Sequence, residues 1–229
     1  MKSGAVFPAV FLERPNRFVA RCLLEGREVT AHVPNTGRCR ELLPPGAPVY
    51  LAHHPEPGRR TQYTLVAVDK GGLLINMDSQ APNRVAEEAL RAGCLRVTRE
   101  PAALVRREFT FGGSRLDFLV EAGEERALVE VKGVTLEEAG EVRFPDAPTL
   151  RGLRHLEELA GAAAQGWTAQ VLFVVQMARA DHFTPNDAAQ PQFGEALRRV
   201  QGQGVRLSAR LCHVTPDEMT LGEEIPILL

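Results

Sequence analysis

The chain has 229 residues, 44% of them hydrophobic and 24% charged, with a formal net charge of −2. That composition excludes wholesale disorder, and the near-neutral balance excludes a protein that holds polyanions by bulk positive charge alone. No apolar run approaches the roughly 20 residues of a membrane helix, and Pro8, Glu13 and Arg14 interrupt the opening stretch before it can form a signal peptide. The four cysteines, Cys22, Cys39, Cys94 and Cys212, are scattered and form no C-x-x-C pair, which argues against a zinc ribbon or a disulfide framework. The expectation is a cytoplasmic protein with no membrane partner. Charge is uneven along the chain: residues 1–60 carry nine Lys and Arg against five Asp and Glu, while residues 81–229 carry 17 against 22. Such a basic front suits phosphates, and also suits an ordinary solvated surface.

The first 80 residues read as short strands around 5–13, 18–25, 28–33, 47–53 and 61–69. Glu25-Gly26-Arg27 and Lys70-Gly71-Gly72 supply turn signals between them. Five short, evenly spaced strands without a helix predict a small all-β, OB-like barrel over residues 1–80. Residues 81–229 change texture. Pro82-Asn83 opens a helix over Arg84–Arg91 that Gly93 ends. Strands are predicted at 104–111, 115–120 and 127–132, then a polar loop over 133–148. A helix fits 149–164, with Leu150, Leu153, Leu156 and Leu159 on one face. The apolar run Gln170–Gln176 reads as a strand buried on both faces, with Gln176 at its end bordering a cleft. A helix over 191–201 and a strand near 205–212 complete the pattern. The order implies an α/β domain with a mixed sheet and flanking helices.

The chemistry concentrates in one hairpin. Gly123-Glu124 suits a type II′ turn, and centring there pairs residues whose numbers sum to 247. Phe118 then faces Val129, Leu116 faces Val131 and Val120 faces Ala127, an apolar face that looks into a core. On the other face Asp117 opposes Glu130 and Arg115 opposes Lys132. Like charges so placed destabilise a bare sheet. A divalent cation between the carboxylates and a phosphate beside the cations would reverse that sign. Glu130 and Lys132, two apart, share one side of a strand. Mg²⁺ or Mn²⁺ on Asp117, Glu130 and the Val131 carbonyl would orient and acidify a water, with Lys132 holding that water or the developing phosphoryl charge. Only three of the 27 basic residues are lysine, Lys2, Lys70 and Lys132. A retained lysine invites a role that arginine, which holds its proton, could not fill. An amphipathic hairpin with one solvated face is the plainer alternative.

Phosphate or nucleic-acid contacts are expected elsewhere. Arg14, Asn16, Arg17 and Phe18 combine cations, an amide and a stacking ring, and also read as a plain turn with a core Phe18. Asn35, Thr36 and Arg38 belong to a turn able to cradle an anion. Arg151 and His155, one helical turn apart, reach a phosphate if their helix borders the hairpin; otherwise His155 is a partly buried helix residue. Asp146 is either a further ligand or a capping carboxylate. Trp167 is read as packing.

Asp117 with Glu130-Val131-Lys132 resembles the PD-(D/E)xK nuclease-like superfamily, whose fold is that of restriction endonucleases. That resemblance implies a further acidic ligand from the preceding helix, Glu88 ahead of Glu87. A longer set of blocks is similar to the sugar fermentation stimulation protein A family. These are Phe11-Leu12-x-Arg14-Pro15-Asn16-Arg17-Phe18, His32-x-Pro34-Asn35-Thr36-Gly37-Arg38, Arg115-x-Asp117-Phe118, Val129-Glu130-Val131-Lys132-x-Val134-Thr135-Leu136, and Phe144-Pro145-Asp146-Ala147 with Arg151-Gly152 and His155-Leu156. This resemblance runs from about residue 7 to 176. It implies an OB-like barrel joined to a nuclease-like domain, DNA binding, and a link to regulation of sugar (maltose) utilisation. Gly133, Pro148, Arg154 and Met77 depart from the family pattern, and none of them touches Asp117, Glu130 or Lys132.

Three functions follow as expectations. The first is a nucleic-acid-binding phosphodiesterase, DNA being the first substrate and a homodimer admissible. The second is a DNA-binding regulator without turnover, and the third a sensor of small nucleotides or anions. The opposed carboxylates favour the first, since a pure polyanion binder gains nothing from paired negative charge.

Overall fold

The computed structural model describes residues 5–35, 37, 39–56, 58 and 60–229. Strands β1 (Val6–Asn16), β2 (Val19–Leu24), β3 (Arg27–His32), β4 (Pro48–His53), β5 (Tyr63–Lys70) and β6 (Leu73–Asn76) form one sheet in the order β3-β2-β1-β4-β5-β6. A parallel pairing of β3 with β5, Ala31 to Tyr63 and His32 to Thr64, closes the first five strands into the expected barrel. Its interior holds Phe11, Ala20, Cys22, Ala31, Leu51 and Leu65, all buried and all supplied by alternate positions or bulges of these strands. Two turns explain the tight connections. Glu25 and Gly26 both have positive φ (49° and 77°), as do Gly71 and Gly72 (62° and 86°), the type I′ geometry whose twist matches a hairpin.

Helix α1 (Ala81–Arg91) starts three residues before the expected Arg84, with Pro82 in its first turn, where a missing N–H costs nothing. A second sheet follows in the order β15-β14-β12-β9-β8-β7. Its strands are β7 (Leu104–Phe111), β8 (Ser114–Ala122), β9 (Glu125–Val134), β12 (Thr168–Val175), β14 (Arg206–Val214) and β15 (Met219–Ile225). β12 runs parallel to both β9 and β14, while the outer pairs are antiparallel. α1 covers one face, with Val85 and Leu90 clustered on Phe118, Val120, Val129 and Val131. α2 (Leu150–Ala164) and α3 (Pro191–Gly202) cover the other, with Leu156, Leu159 and Phe193 on Leu119, Leu128 and Phe173. Thr149 caps α2 by accepting from the Gly152 N–H at 3.0 Å.

The polar loop expected over 133–148 is not a loop. It contains β10 (Leu136–Glu138) and β11 (Glu141–Phe144), which form a third, small sheet with β13 (His182–Pro185). Strands of three or four residues give no readable alternation, and their pairing with a distant segment is not a local property. β6 and β15 were equally invisible, the latter because Gly222 interrupts it at a register shift in its ladder with β14.

The two domains share a core. One hydrophobic cluster runs from Leu65, Ile75 and Met77 of the barrel region into Val134, Val142 and Met177 of the second domain. Gln176 reinforces the join: its backbone carbonyl accepts from Asn76 N at 2.9 Å, and its side-chain amide donates to the Asn76 carbonyl at 2.9 Å and the Asp78 carbonyl at 3.2 Å. Lys70 crosses the same boundary to the Glu137 carboxylate at 2.5 Å. No helix among the described residues is long and apolar enough to cross a membrane.

Candidate functional site

The β8–β9 hairpin forms in the expected register near its turn. Phe118 pairs with Val129, Leu119 with Leu128 and Val120 with Ala127, and only Gly123 of the two central residues has positive φ, as a type II′ turn requires. Beyond Phe118 and Val129 the ladder stops. Asp117 is the reason: its Oδ2 accepts the Val131 N–H at 2.8 Å, so a side chain takes the bond a neighbouring strand would have used. Side-chain alternation breaks at the same point, and Leu116 joins the cluster of Leu119 and Leu128 instead of that of Phe118. The predicted direct opposition of Leu116 to Val131, Asp117 to Glu130 and Arg115 to Lys132 is therefore replaced by splayed strand ends. Arg115 turns outward to Glu108 at 3.6 Å, both side chains being more than half exposed.

Each acid is reached from a different covering layer. From α1, Asn83 donates through Nδ2 to Asp117 Oδ1 at 2.7 Å. From α2, His155 contacts Glu130 Oε1 through Nδ1 at 2.5 Å, and Lys132 Nζ lies 2.5 Å from the same oxygen. Both Glu130 and His155 are buried. Glu130 Oε2, the other oxygen, is buried without a hydrogen-bond partner. The carboxylate is thus clamped on one side and bare on the other.

Electrostatics separates the two acids. Burial and then the charge of Glu130 push the Asp117 pKa from 3.8 to about 6, against the pull of the Val131 N–H, Lys132 and Asn83. Burial also disfavours ionised Glu130, but the hydrogen bond from His155, together with the bond and charge of Lys132, outweighs it and holds this carboxyl below its ordinary value. One acid is firmly ionised while its neighbour titrates closer to neutrality.

Other expected residues divide. Glu88 does not join the acids: it is exposed on α1, five positions beyond Asn83, and Asn83 is the α1 side chain that touches Asp117. Glu87 pairs with Arg91 and Arg107. His155 presents neither ring nitrogen to a phosphate, since Nε2 meets Arg151 Nε at 3.2 Å while Nδ1 meets Glu130. Arg14 donates to the carbonyls of Gly37, Arg17 and Asn35 at 2.8, 2.6 and 2.6 Å, bracing the corner of the barrel. Asn16 Oδ1 accepts the Phe18 N–H and Asn35 Oδ1 the Gly37 N–H, two short side-chain-to-backbone turns. Phe18 is 52% exposed, not a core residue, and Arg17 is exposed beside it. Thr36 and Arg38 lie outside the described residues. Gln176 is buried as a joint between domains, and Trp167 packs on Phe109 and Phe111 as expected.

A cleft of about 1270 Å³ runs between the domains, lined by Arg14, Asn16, Arg17 and Asn35 on one side and by Gly133 and Thr135 on the other. It contains none of Asp117, Glu130 and Lys132; Gly133, the residue after Lys132 in β9, is part of its lining. Gly133 is sterically fixed: a Cβ there would lie 2.6 Å from the Gln176 side-chain oxygen and 2.7 Å from Pro82 Cγ. Asn83 and the His155–Glu130 contact are what sequence reading missed. Neither contact carries a spacing signal, because each forms only through the packing of a helix on the sheet.

The chain matches two family models, one described as the SfsA N-terminal OB domain over residues 12–77 and one as the sugar fermentation stimulation protein RE domain over residues 80–218. It is 46% identical over 229 residues to the sugar fermentation stimulation protein homolog of Desulfitobacterium hafniense, covering 100% of this chain and 99% of that protein. It is 48% identical over 236 residues to the homolog of Clostridium perfringens, covering both chains fully. A solved structure described as Pyrococcus furiosus SfsA in complex with Ca²⁺ superposes with a TM-score of 0.88 at 28% identity, over 100% of this chain and 98% of the other.

Proposed function

The chain belongs to the sugar fermentation stimulation protein family, and on that footing we propose that it binds nucleic acid, DNA first, and hydrolyses phosphodiester bonds with Mg²⁺ or Mn²⁺ held at Asp117 and Glu130. The observation that carries this reading is the bare Oε2 of a buried, ionised Glu130. A buried carboxylate oxygen without a donor is costly, and a cation removes the cost. Among the described residues no three His, Cys, Asp or Glu side chains converge as a ligand cluster. The donor set fits a hard cation that keeps several waters and takes only one or two carboxylates from the protein. The Pyrococcus furiosus relative, described as a complex with Ca²⁺, supports a divalent-cation reading.

When bound, such a cation supplies Lewis-acid polarisation of a phosphoryl oxygen and lowers the pKa of a water. The remaining work falls to the chain. Asn83 and the Val131 N–H hold Asp117 in one rotamer. Lys132, a compact ammonium whose side chain is 12% exposed, offsets charge as it grows on the phosphoryl oxygens. The OB-type barrel supplies Arg17 in the lining of the cleft and, next to it in the chain, the exposed Phe18, suited to a phosphate and a stacked base.

The test is incubation of purified protein with single- and double-stranded substrates and Mn²⁺, beside Asp117→Ala and Lys132→Ala. Cleavage by the native protein that both substitutions abolish is the expected result. Binding without cleavage in every sample would assign the chain as a regulator instead.

A further inference from the structure

Glu130 is unusual in how unevenly its two oxygens are treated. Oε1 receives both Lys132 Nζ and His155 Nδ1 at 2.5 Å, whereas Oε2 has no protein donor. The direction of the His155 contact follows from its other side. Arg151 Nε lies 3.2 Å from His155 Nε2, and a guanidinium N–H can only donate. Nε2 must therefore offer its lone pair, which leaves the ring proton on Nδ1, pointing at Glu130. The three residues form a directed chain: Arg151 donates to His155, and His155 donates to Glu130.

Packing alone does not account for a histidine here. The side chain is 4% exposed, in a layer otherwise filled by Leu156, Leu159 and Phe193, where an apolar residue would be accommodated without bonds to satisfy. Lys132 by itself is a poor anchor, because an ammonium on a four-carbon stem reaches a carboxylate from many directions. A planar ring on a helix, with its tautomer fixed from behind, defines one direction. Ligand-orienting partners of this kind are well known for metal-bound histidines and carboxylates.

We infer that His155 is a positioning residue, fixed in its Nδ1–H tautomer by Arg151, which pins Glu130 through Oε1 so that Oε2 is reserved for the divalent cation. This rests on the cation reading given above. His155 does not touch substrate and transfers no proton. Its effect is on how well Glu130 is aimed.

The experiment is titration of Mn²⁺ into metal-free protein followed by the heat of binding, with melting temperature recorded for each variant. Native protein is compared with His155→Asn, His155→Leu and Arg151→Met. Asn places an amide N–H close to where Nδ1–H stands, so it should bind Mn²⁺ within about threefold of native. Leu removes the donor and should weaken binding by roughly 10–100-fold. Arg151→Met frees the tautomer and should fall between them. A purely structural His155 would lower the melting temperature without moving Mn²⁺ affinity, and equal affinity in native and His155→Leu protein overturns the inference. Should His155→Leu not fold, undiminished affinity in Arg151→Met overturns it instead. Native protein that takes up no Mn²⁺ overturns the cation reading itself, a separate and distinguishable outcome.

Discussion

The corner of the barrel and the frayed end of the β8–β9 hairpin are built from similar groups and do opposite things with them. At the corner, the Arg14 guanidinium donates to three backbone carbonyls, and two asparagine side chains accept N–H groups from their own turns. Its bonding is directed inward, and the region reads as scaffold. At the hairpin, donors crowd one oxygen of Glu130 and leave the other bare, while Asp117 is pushed toward neutrality by burial and by that neighbour. The incompletely matched carboxylates mark the site. What distinguishes the two places is the sign of the buried group: the corner spreads one cation over backbone carbonyls, whereas the hairpin buries two neighbouring carboxylates, one of them bare on one oxygen.

The contrast can be tested at its strongest point first. Glu130→Gln keeps the shape and the contacts with Lys132 and His155 but removes the anionic ligand, and should lower Mn²⁺-dependent cleavage by about a thousandfold or more, roughly 4 kcal/mol of barrier. Cleavage within tenfold of native would erase the distinction between the two regions. Arg14→Met should do the reverse. It leaves three carbonyls without their donor, so stability in urea should fall by about 3 kcal/mol with Mn²⁺ affinity unchanged.

pH sharpens the comparison from the acid side. Asp117 is pushed up to about 6 in the folded state, above the ordinary 3.8, so ionising it works against the folded state. Metal-free protein should lose up to roughly 3 kcal/mol from this group as pH rises from about 4 through 6. Asp117→Asn should remove that slope and be more stable than native at pH 8, the Asn83 amide flipping to accept the new N–H. Glu130, held low, contributes stability that is present above its ordinary pKa and lost as pH falls. A native profile that does not decline between pH 4 and 7, against the Asn variant, would show Asp117 to be well matched after all. The smallest effect is expected at Phe18, which is 52% exposed. Phe18→Ala should leave the melting temperature unchanged and weaken single-strand binding by about fivefold, near 1 kcal/mol, in a fluorescence anisotropy titration.

Much of this was legible in the residues. The barrel announced itself through turn chemistry, because Glu25-Gly26 and Gly71-Gly72 have one favourable hairpin geometry, and the register of β8 on β9 followed from Gly123. Asp117, Glu130 and Lys132 were found by their alternation on two strands. What sequence could not supply was the point at which alternation fails. A side chain substituting for a ladder bond at Val131 is a three-dimensional event, and it redirected Leu116 and Arg115 and removed the expected pairing of cations. The helix contributions are half visible: the spacing of Arg151 and His155 marks His155 but not its partner Glu130, and the α1 side chain that meets Asp117 is the amide of Asn83.

The join at Gln176 carries a consequence for how the protein melts. Its amide is bonded to backbone on the far side of the boundary, and the apolar cluster continues through Ile75, Met77 and Met177 without a break. Neither half has a surface ready to face water where the other leaves it. Calorimetry should therefore record a single heat-absorption peak with van't Hoff and calorimetric enthalpies in agreement. A barrel severed near residue 80 should aggregate instead of folding alone, so that the two halves are inherited as one cooperative unit.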